Sequence, residues 1–350
     1  MPYPWANVIL LFLLAAELGT GLFGLVSGSS DRAIYLQLHR IFGFSILAVF
    51  LWKGRNIFRS LARIRRRRSG NTAATPIPYG SLVIVLLLAL SIALALTWSH
   101  TGPFKFQGFS GVSWHIYVSV PLAPLLLWHA FSKRWTLRPI FWAQRRNFLR
   151  TGGLALAGLA LWQFAEFTAA SLNLPGSRRR FTGSYAAASF SGNNFPSTSW
   201  INDNPAPIDI DAWRLQVTGH VQRELSLDYN EIVAHKSRMT ATLDCTGGWH
   251  STQHWTGVPL KHVLDRAGLK PEAASVTVRS VTGYTRRFSI DETEELLLAT
   301  TVGDETLSHR HGFPLRLAAP ERRGYQWVKW VTALEMNDTS KWFQSPLPLQ

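Results

Sequence analysis

The chain has 350 residues, 36 Lys and Arg against 21 Asp and Glu, and a single cysteine. One cysteine excludes an intramolecular disulfide framework, and no Cys/His spacing suits a structural zinc site. The net charge of +15 is uneven: residues 1–177 hold 17 basic residues and three acids, residues 178–350 hold 19 and 18. In the first half the basic residues alternate with long apolar runs, which argues for a membrane protein and against one that binds nucleic acid.

A helix needs ~20 apolar residues to cross a bilayer. Five segments reach that length, at 5–26, 36–57, 79–98, 112–131 and 149–170. The stretch after the second carries Lys53, Arg55, Arg59, Arg63 and Arg65 to Arg68, and that after the fourth carries Lys133, Arg134, Arg138, Arg145, Arg146 and Arg150. The other two loops hold only Arg32 and only Lys105. Positive loops stay inside, so the N-terminus is expected in the cytoplasm and, after an odd number of spans, the C-terminal half outside. This predicts a multi-pass protein of a bacterial inner (plasma) membrane, in contact with lipid, with a periplasmic C-terminal domain. The fifth segment opens "AQRRNFLRTGGLALAGLALW", which resembles a twin-arginine export signal placed internally. Ordinary basic flanks of a membrane helix are the alternative.

Histidines in membrane helices are costly and need a reason. On this topology His39, His100 and His115 lie at about one depth near the outer face, and two imidazoles at one depth on facing helices are the usual means of holding a b-type haem iron. His39 with His115 is the expected axial pair, with His100 as competitor for either place; Gly43, one turn beyond His39, is expected to leave room for the macrocycle. His129 follows His115 by fourteen residues, ~21 Å deeper along a continuous helix. It has no histidine partner at that depth, so one haem is expected rather than two. Histidines bonded at the membrane interface are the alternative. The stretches "LHRIFGFSILAVFLWK" and "WHIYVSVPLAPLLLWH" resemble the four-helix b-type cytochrome domains of membrane oxidoreductases.

The stretch 171–192, rich in Ser, Gly, Ala and Arg, reads as a linker. Beyond it short β-rich runs, "WRLQVTG" and "SVTVRSV", alternate with helical ones, "GVPLKHVLDRAGL" and "IDETEELLLATT". The expected fold is a membrane all-α helical bundle of about five transmembrane helices followed by a soluble α+β domain. The layout is 1–135 for the helical bundle with a b-haem, 136–192 for the twin-arginine-like segment, fifth helix and linker, and 193–340 for the extracytoplasmic domain.

Cys245 sits in "TLDCTGGWHSTQHWTGVPLKHVLDRAG". A lone cysteine is a buried small hydrophobe, a nucleophile or a ligand to a soft metal, and the residues alone leave all three open. That stretch, with "LSHRHGFPLRLAAPERRGYQWVKWVTALEM" and "SGNNFPSTSW", resembles the molybdopterin-binding domain of the sulfite oxidase family. Within it the motifs look similar to the group of the periplasmic methionine sulfoxide reductase catalytic subunit. The resemblance implies that Cys245 is the thiolate ligand of a molybdenum-molybdopterin cofactor. It also implies that Asn194, Phe195, Arg286, His311, Arg316, Gly324 and Lys329 contact that cofactor.

Sulfite-oxidising members place an arginine soon after the cysteine, whereas this chain has Trp249, His250 and Ser251 there. A neutral oxide such as a sulfoxide is then the favoured small-molecule substrate. The joint expectation is two-electron oxo transfer at an outer molybdenum site, with electrons exchanged through haem with the quinone pool or another membrane donor. The alternatives are a sulfite or other dehydrogenase, a thiol hydrolase pairing Cys245 with His250 or His254, and a non-catalytic binding module on a membrane anchor.

Overall fold

A computed structural model describes residues 4–69, 79–132, 138–139, 143–199 and 203–345. The expected boundary at 135–136, Lys133 and Arg134 of the second basic stretch and Trp200 of the quoted domain start lie outside the described residues. The chain divides into two compact units, 1–24 with 31–183 and 25–30 with 184–350.

The first unit is helical. Helix α1 spans Pro4–Val26, α2 Ile34–Ser69 and α3 Tyr79–Thr101; a small hairpin, β1 (Lys105–Phe106) and β2 (Phe109–Ser110), leads to α4 (Gly111–Ser119) and α5 (Leu122–Ser132), and α6 covers Arg145–Ser171. Among the described residues, five segments are long and apolar enough to cross a membrane, Gly111–Ser132 counting as one. The fourth span was expected unbroken, but it is interrupted at Val120 and Pro121. A proline has no amide hydrogen to continue the ladder, so the break falls there. The core of this unit is thin, with Trp5, Ala6, Ile9, Leu13 and Leu14 of α1 meeting Ile46 and Val49 of α2 and Leu122 and Leu126 of α5. Phe12, Leu86, Phe131 and Phe164 face outward, as they do when lipid is the solvent. Helices α2 and α6 touch through small residues, where a Cβ on Gly158 would lie 2.0 Å from Ser45 Oγ.

The second unit is a mixed α/β domain. Its strands are β3 (Tyr185–Ala186), β4 (Leu215–Gly219), β5 (Leu225–Leu227), β6 (Ser237–Asp244), β7 (Trp249–Pro259), β8 (Ser275–Ser280) and β9 (Thr285–Ser289), then β10 (Leu297–Val302), β11 (Glu305–Thr306), β12 (Arg316–Ala318) and β13 (Val331–Asn337); helices α7 (Tyr229–Val233) and α8 (Leu260–Ala267) join them. One sheet runs β11-β10-β7-β3, with β12 on β10 and β6 on β7; the other runs β5-β4-β13-β8-β9. The eleven-residue β7 carries the first sheet, pairing with β6, β10 and β3.

"GVPLKHVLDRAGL" forms α8 as expected, but "IDETEELLLATT" does not form a helix. Its acidic start is a 3-10 turn at Asp291–Glu295, and its apolar end is β10. Leu297, Leu298 and Ala299 are all buried between β7 and β12. A short run buried on both faces is the pattern of a central strand, and periodicity alone does not separate it from a buried helix.

Candidate functional site

The hairpin of β6 and β7 closes at Asp244 opposite His250, which leaves Cys245 to Gly248 as its turn. Cys245 N–H donates to the Trp249 carbonyl at 2.9 Å and Gly248 N–H to the Cys245 carbonyl at 3.1 Å. Gly248 takes φ +88, a left-handed conformation that favours glycine. The turn thus fixes Cys245 at the end of a buried strand, with its side chain withdrawn from solvent. The Gly247 amide points at Sγ from 3.3 Å. Burial pushes the Cys245 thiol above its ordinary pKa, against the opposing pull of the Gly247 amide, Thr198 and Arg323. A thiol raised in this way is a poor free nucleophile. His250 Nδ1 pairs with the Ser184 hydroxyl at 3.2 Å and His254 Nδ1 with Thr240 at 2.9 Å.

The second motif approaches the same turn. A Cβ on Gly324 would lie 3.2 Å from Cys245 Cα, so the two motifs meet backbone to backbone. Beside it Arg323 donates to Asp244 Oδ1 at 2.7 Å, with the partners only 5 % and 2 % exposed. Its Nη2 also reaches the Cys245 carbonyl at 3.5 Å. Sequence reasoning missed Arg323 and Asp244. In "APERRGYQW" nothing separates Arg323 from Arg322, which turns instead to Glu292 at 3.0 Å.

Arg316, Lys329, His311 and Phe195 come together. The turn at Gly312, with φ +111, brings Lys329 and Arg316 so close that a Cβ there would lie 3.1 and 3.2 Å from their Cβ atoms. Arg316 donates to the His311 carbonyl at 2.8 Å and stacks over Trp255 and Trp327, while its Nε has no hydrogen-bond partner among the described residues. Lys329 donates to Ser199 Oγ at 2.7 Å and to the Arg310 carbonyl at 3.2 Å. All these acceptors are neutral. Burial holds the Arg316 pKa down to about 9 and, with Arg316 beside it, that of Lys329 down to about 7. His311 is lowered to about 4 by burial and by Arg316, so its ring is neutral at pH 7. Its Nε2 then donates to the Phe195 carbonyl at 2.9 Å and its Nδ1 accepts from the Ser308 hydroxyl at 2.8 Å. With both nitrogens engaged, the ring ties the Phe195 turn to the loop before β12, and Phe195 packs on it at 4.0 Å between centroids.

The remaining two lie differently. Asn194 is exposed and donates to the Ser191 carbonyl of its own turn at 2.9 Å. Arg286 is buried over the Tyr325 ring and donates to the Ser345 carbonyl at 3.2 Å, with its Nε unpartnered among the described residues. Two buried cations held only by neutral acceptors next to a buried thiol fit an anionic cofactor that offers a soft metal, since burying unbalanced charge is otherwise costly.

The Lys329 shift has a sign. Its pKa is lower in the folded chain than its ordinary 10.5, so the unfolded chain binds more protons between the two values. The cost to stability is full below about pH 7 and is relieved as pH rises towards 10. The cofactor-free protein is expected to melt at rising temperature across that window, and a Lys329→Met variant to flatten the rise.

In the helical unit, the His39 and His115 rings lie 6.2 Å apart between centroids at 81°. His39 Nδ1 lies 3.0 Å from the Glu17 carbonyl and His115 Nδ1 3.0 Å from that of Ser91, so Nε2 is the nitrogen of each ring not turned to a backbone carbonyl. His100 turns back to its own helix, with Nδ1 2.9 Å from the Leu96 carbonyl. Gly43 does not open space for a macrocycle as expected: a Cβ there would meet Glu17 Oε1 at 3.0 Å, and it is Gly21 that faces His39. Glu17 Oε1 also lies 3.4 Å from His39 Nε2, so haem would require that carboxylate to swing away.

Residues 202–344 match the oxidoreductase molybdopterin binding domain. The chain is 30 % identical over 137 residues to an uncharacterized oxidoreductase of Bacillus subtilis, across 38 % of this chain and 69 % of that protein. It is 27 % identical over 174 residues to an inducible NADH nitrate reductase of Glycine max, across 39 % of this chain and 20 % of that one. It is 26 % identical over 164 residues to the catalytic subunit of a protein-methionine-sulfoxide reductase of Gluconobacter oxydans, across 41 % and 51 %. The chain thus spans about half of the Gluconobacter protein and a fifth of the Glycine max one. Both motifs around Cys245 and Arg316 fall inside the matched region, and the chain belongs to the oxidoreductase molybdopterin-binding family, its domain fused to a helical membrane region.

Proposed function

We propose that the chain is a membrane-anchored molybdopterin-dependent oxidoreductase acting on a small neutral oxide, with a sulfoxide favoured. His39 and His115 would hold a b-type haem, which would supply one-electron exchange with the quinone pool. The observation that carries this reading is the buried Cys245 thiol beside Arg316 and Lys329, whose hydrogen-bond acceptors are all neutral. When bound, molybdenum supplies two-electron oxygen-atom transfer and haem supplies one-electron relay.

The chain's own residues divide the remaining work. Cys245 is the soft anchor for the metal, fixed by the β6–β7 turn and approached by the Gly247 amide. Arg316 and Lys329 hold the anionic end of the cofactor, since their charges lack a counterion within hydrogen-bond reach. Phe195, wedged against Trp255 and His311, closes the apolar side and keeps water from the buried cations.

Arg323 supports the neutral-substrate reading. It is the arginine that touches the Cys245 carbonyl, and Asp244 neutralises it, so it is not free to hold an anion such as sulfite. A thiol hydrolase is disfavoured by the raised thiol pKa and by the bonds of His250 and His254 to Ser184 and Thr240.

The test is elemental analysis and a dithionite-reduced spectrum of the detergent-purified chain, made in a host that assembles the cofactor. About one molybdenum, a b-type band and turnover of a small sulfoxide with a reduced viologen are expected. A haem-loaded chain free of molybdenum would sink the reading and leave a binding module.

A further inference from the structure

We propose that the groove between α1, α2 and α6 is a binding site for one anionic phospholipid. Arg150 would hold the headgroup phosphate, and an acyl chain would lie along Ala6, Ile9, Val49 and Leu154. These residues, with Trp5 and Gly153, line a cavity of about 330 Å3, and Arg150 is the charged residue among them.

The charge decides the occupant. Arg150 is half-buried; it donates to Asn147 Oδ1 at 3.1 Å and packs over the Trp5 ring at 4.9 Å from the centroid, both neutral partners. Residues 1–177 contain three acids, Glu17, Asp31 and Glu166. Glu17 lies twelve residues beyond Trp5 on α1 and Glu166 sixteen beyond Arg150 on α6, about 18 and 24 Å along their helices. Asp31 follows the far end of α1. None of the three carboxylates of the membrane half therefore reaches Arg150, which leaves it open to an anionic ligand.

The walls decide the rest. They are apolar apart from the Trp5 indole edge and Arg150, so a free phosphate would satisfy the cation and leave the groove unfilled. A quinone would fill the groove and bring no charge. A phospholipid with an anionic head does both, and basic pockets between membrane helices take such headgroups. The lining residues Arg150, Gly153 and Leu154 lie in the first turns of α6, the end of that helix that also carries Arg145 and Arg146. Gly153 contributes to the space: a Cβ built on it meets nothing within 4 Å, so a larger side chain there enters the groove without moving the backbone.

The experiment is native mass spectrometry of the full chain in neutral detergent, delipidated and then titrated with phosphatidylglycerol, phosphatidylcholine, ubiquinone or inorganic phosphate. One phosphatidylglycerol is expected to be retained about fivefold better than phosphatidylcholine, the order of one basic residue at an anionic lipid surface. Arg150→Gln is expected to bring the two lipids level, Arg150→Lys to keep the preference, and Gly153→Leu to lower retention of both. Equal retention of the two lipids by the parent, an unchanged preference in Arg150→Gln, or retention of ubiquinone or phosphate in place of lipid would overturn the proposal.

Discussion

A Cys245→Ser variant is expected to fold, to keep its haem and to lose sulfoxide turnover by more than about a hundredfold, the upper end of what removing an outer-shell partner costs a metal site. Serine is close in shape and keeps an acceptor for the Gly247 amide, which approaches Sγ at 3.3 Å. The turn itself is made by backbone bonds from Cys245 N–H and Gly248 N–H, so its geometry does not depend on sulfur. What is lost is a soft, polarizable donor, and a hydroxyl in the same buried place is a poor substitute for a thiolate. The readouts are molybdenum per chain and viologen-linked turnover, with the melting temperature as control. A variant that retains metal and full turnover would remove Cys245 from the ligand set. The thiol reading makes the opposite forecast, because a nucleophilic Cys245 would be alkylated in cofactor-free protein near neutral pH. Burial raises the thiol pKa and opposes that reaction.

The helices were legible because membrane spans are written in long apolar runs and charged flanks, signals that depend on solvent rather than on tertiary contacts. The expected 112–131 span is present as Gly111–Ser132, with its helix interrupted at Val120 and Pro121. In the domain the apolar run of β10 misled, since Leu296 to Ala299 are buried whatever the secondary structure. Cys245 was identifiable from its motif. Arg323 was not, because its meaning lies in Asp244, 79 residues away in the chain. The engagement of both His311 nitrogens was equally hidden, since Phe195 and Ser308 come from separate turns.

Replacing His39 or His115 with alanine is expected to abolish the b-type absorption band and leave the molybdenum content unchanged. The two rings come from α2 and α4, 76 residues apart, and reach a 6.2 Å separation. Each is oriented by a backbone carbonyl on Nδ1, and His115 is further steadied by Ser91 Oγ at 3.1 Å, itself bonded to Ser119 at 2.7 Å. A ring so oriented would lose little freedom on binding haem iron, and removing either ring would take away one of the two groups that would hold it. Ser91→Ala is the graded control: it spares both rings and removes one hydroxyl, so haem should bind more weakly yet still show the band. His100→Ala should leave the band intact, because His100 is bonded to Leu96 of its own helix. Haem retained by both His39→Ala and His115→Ala, but lost with His100→Ala, would transfer the axial role to His100. Loss of the band with unchanged helicity by circular dichroism would separate ligand loss from unfolding.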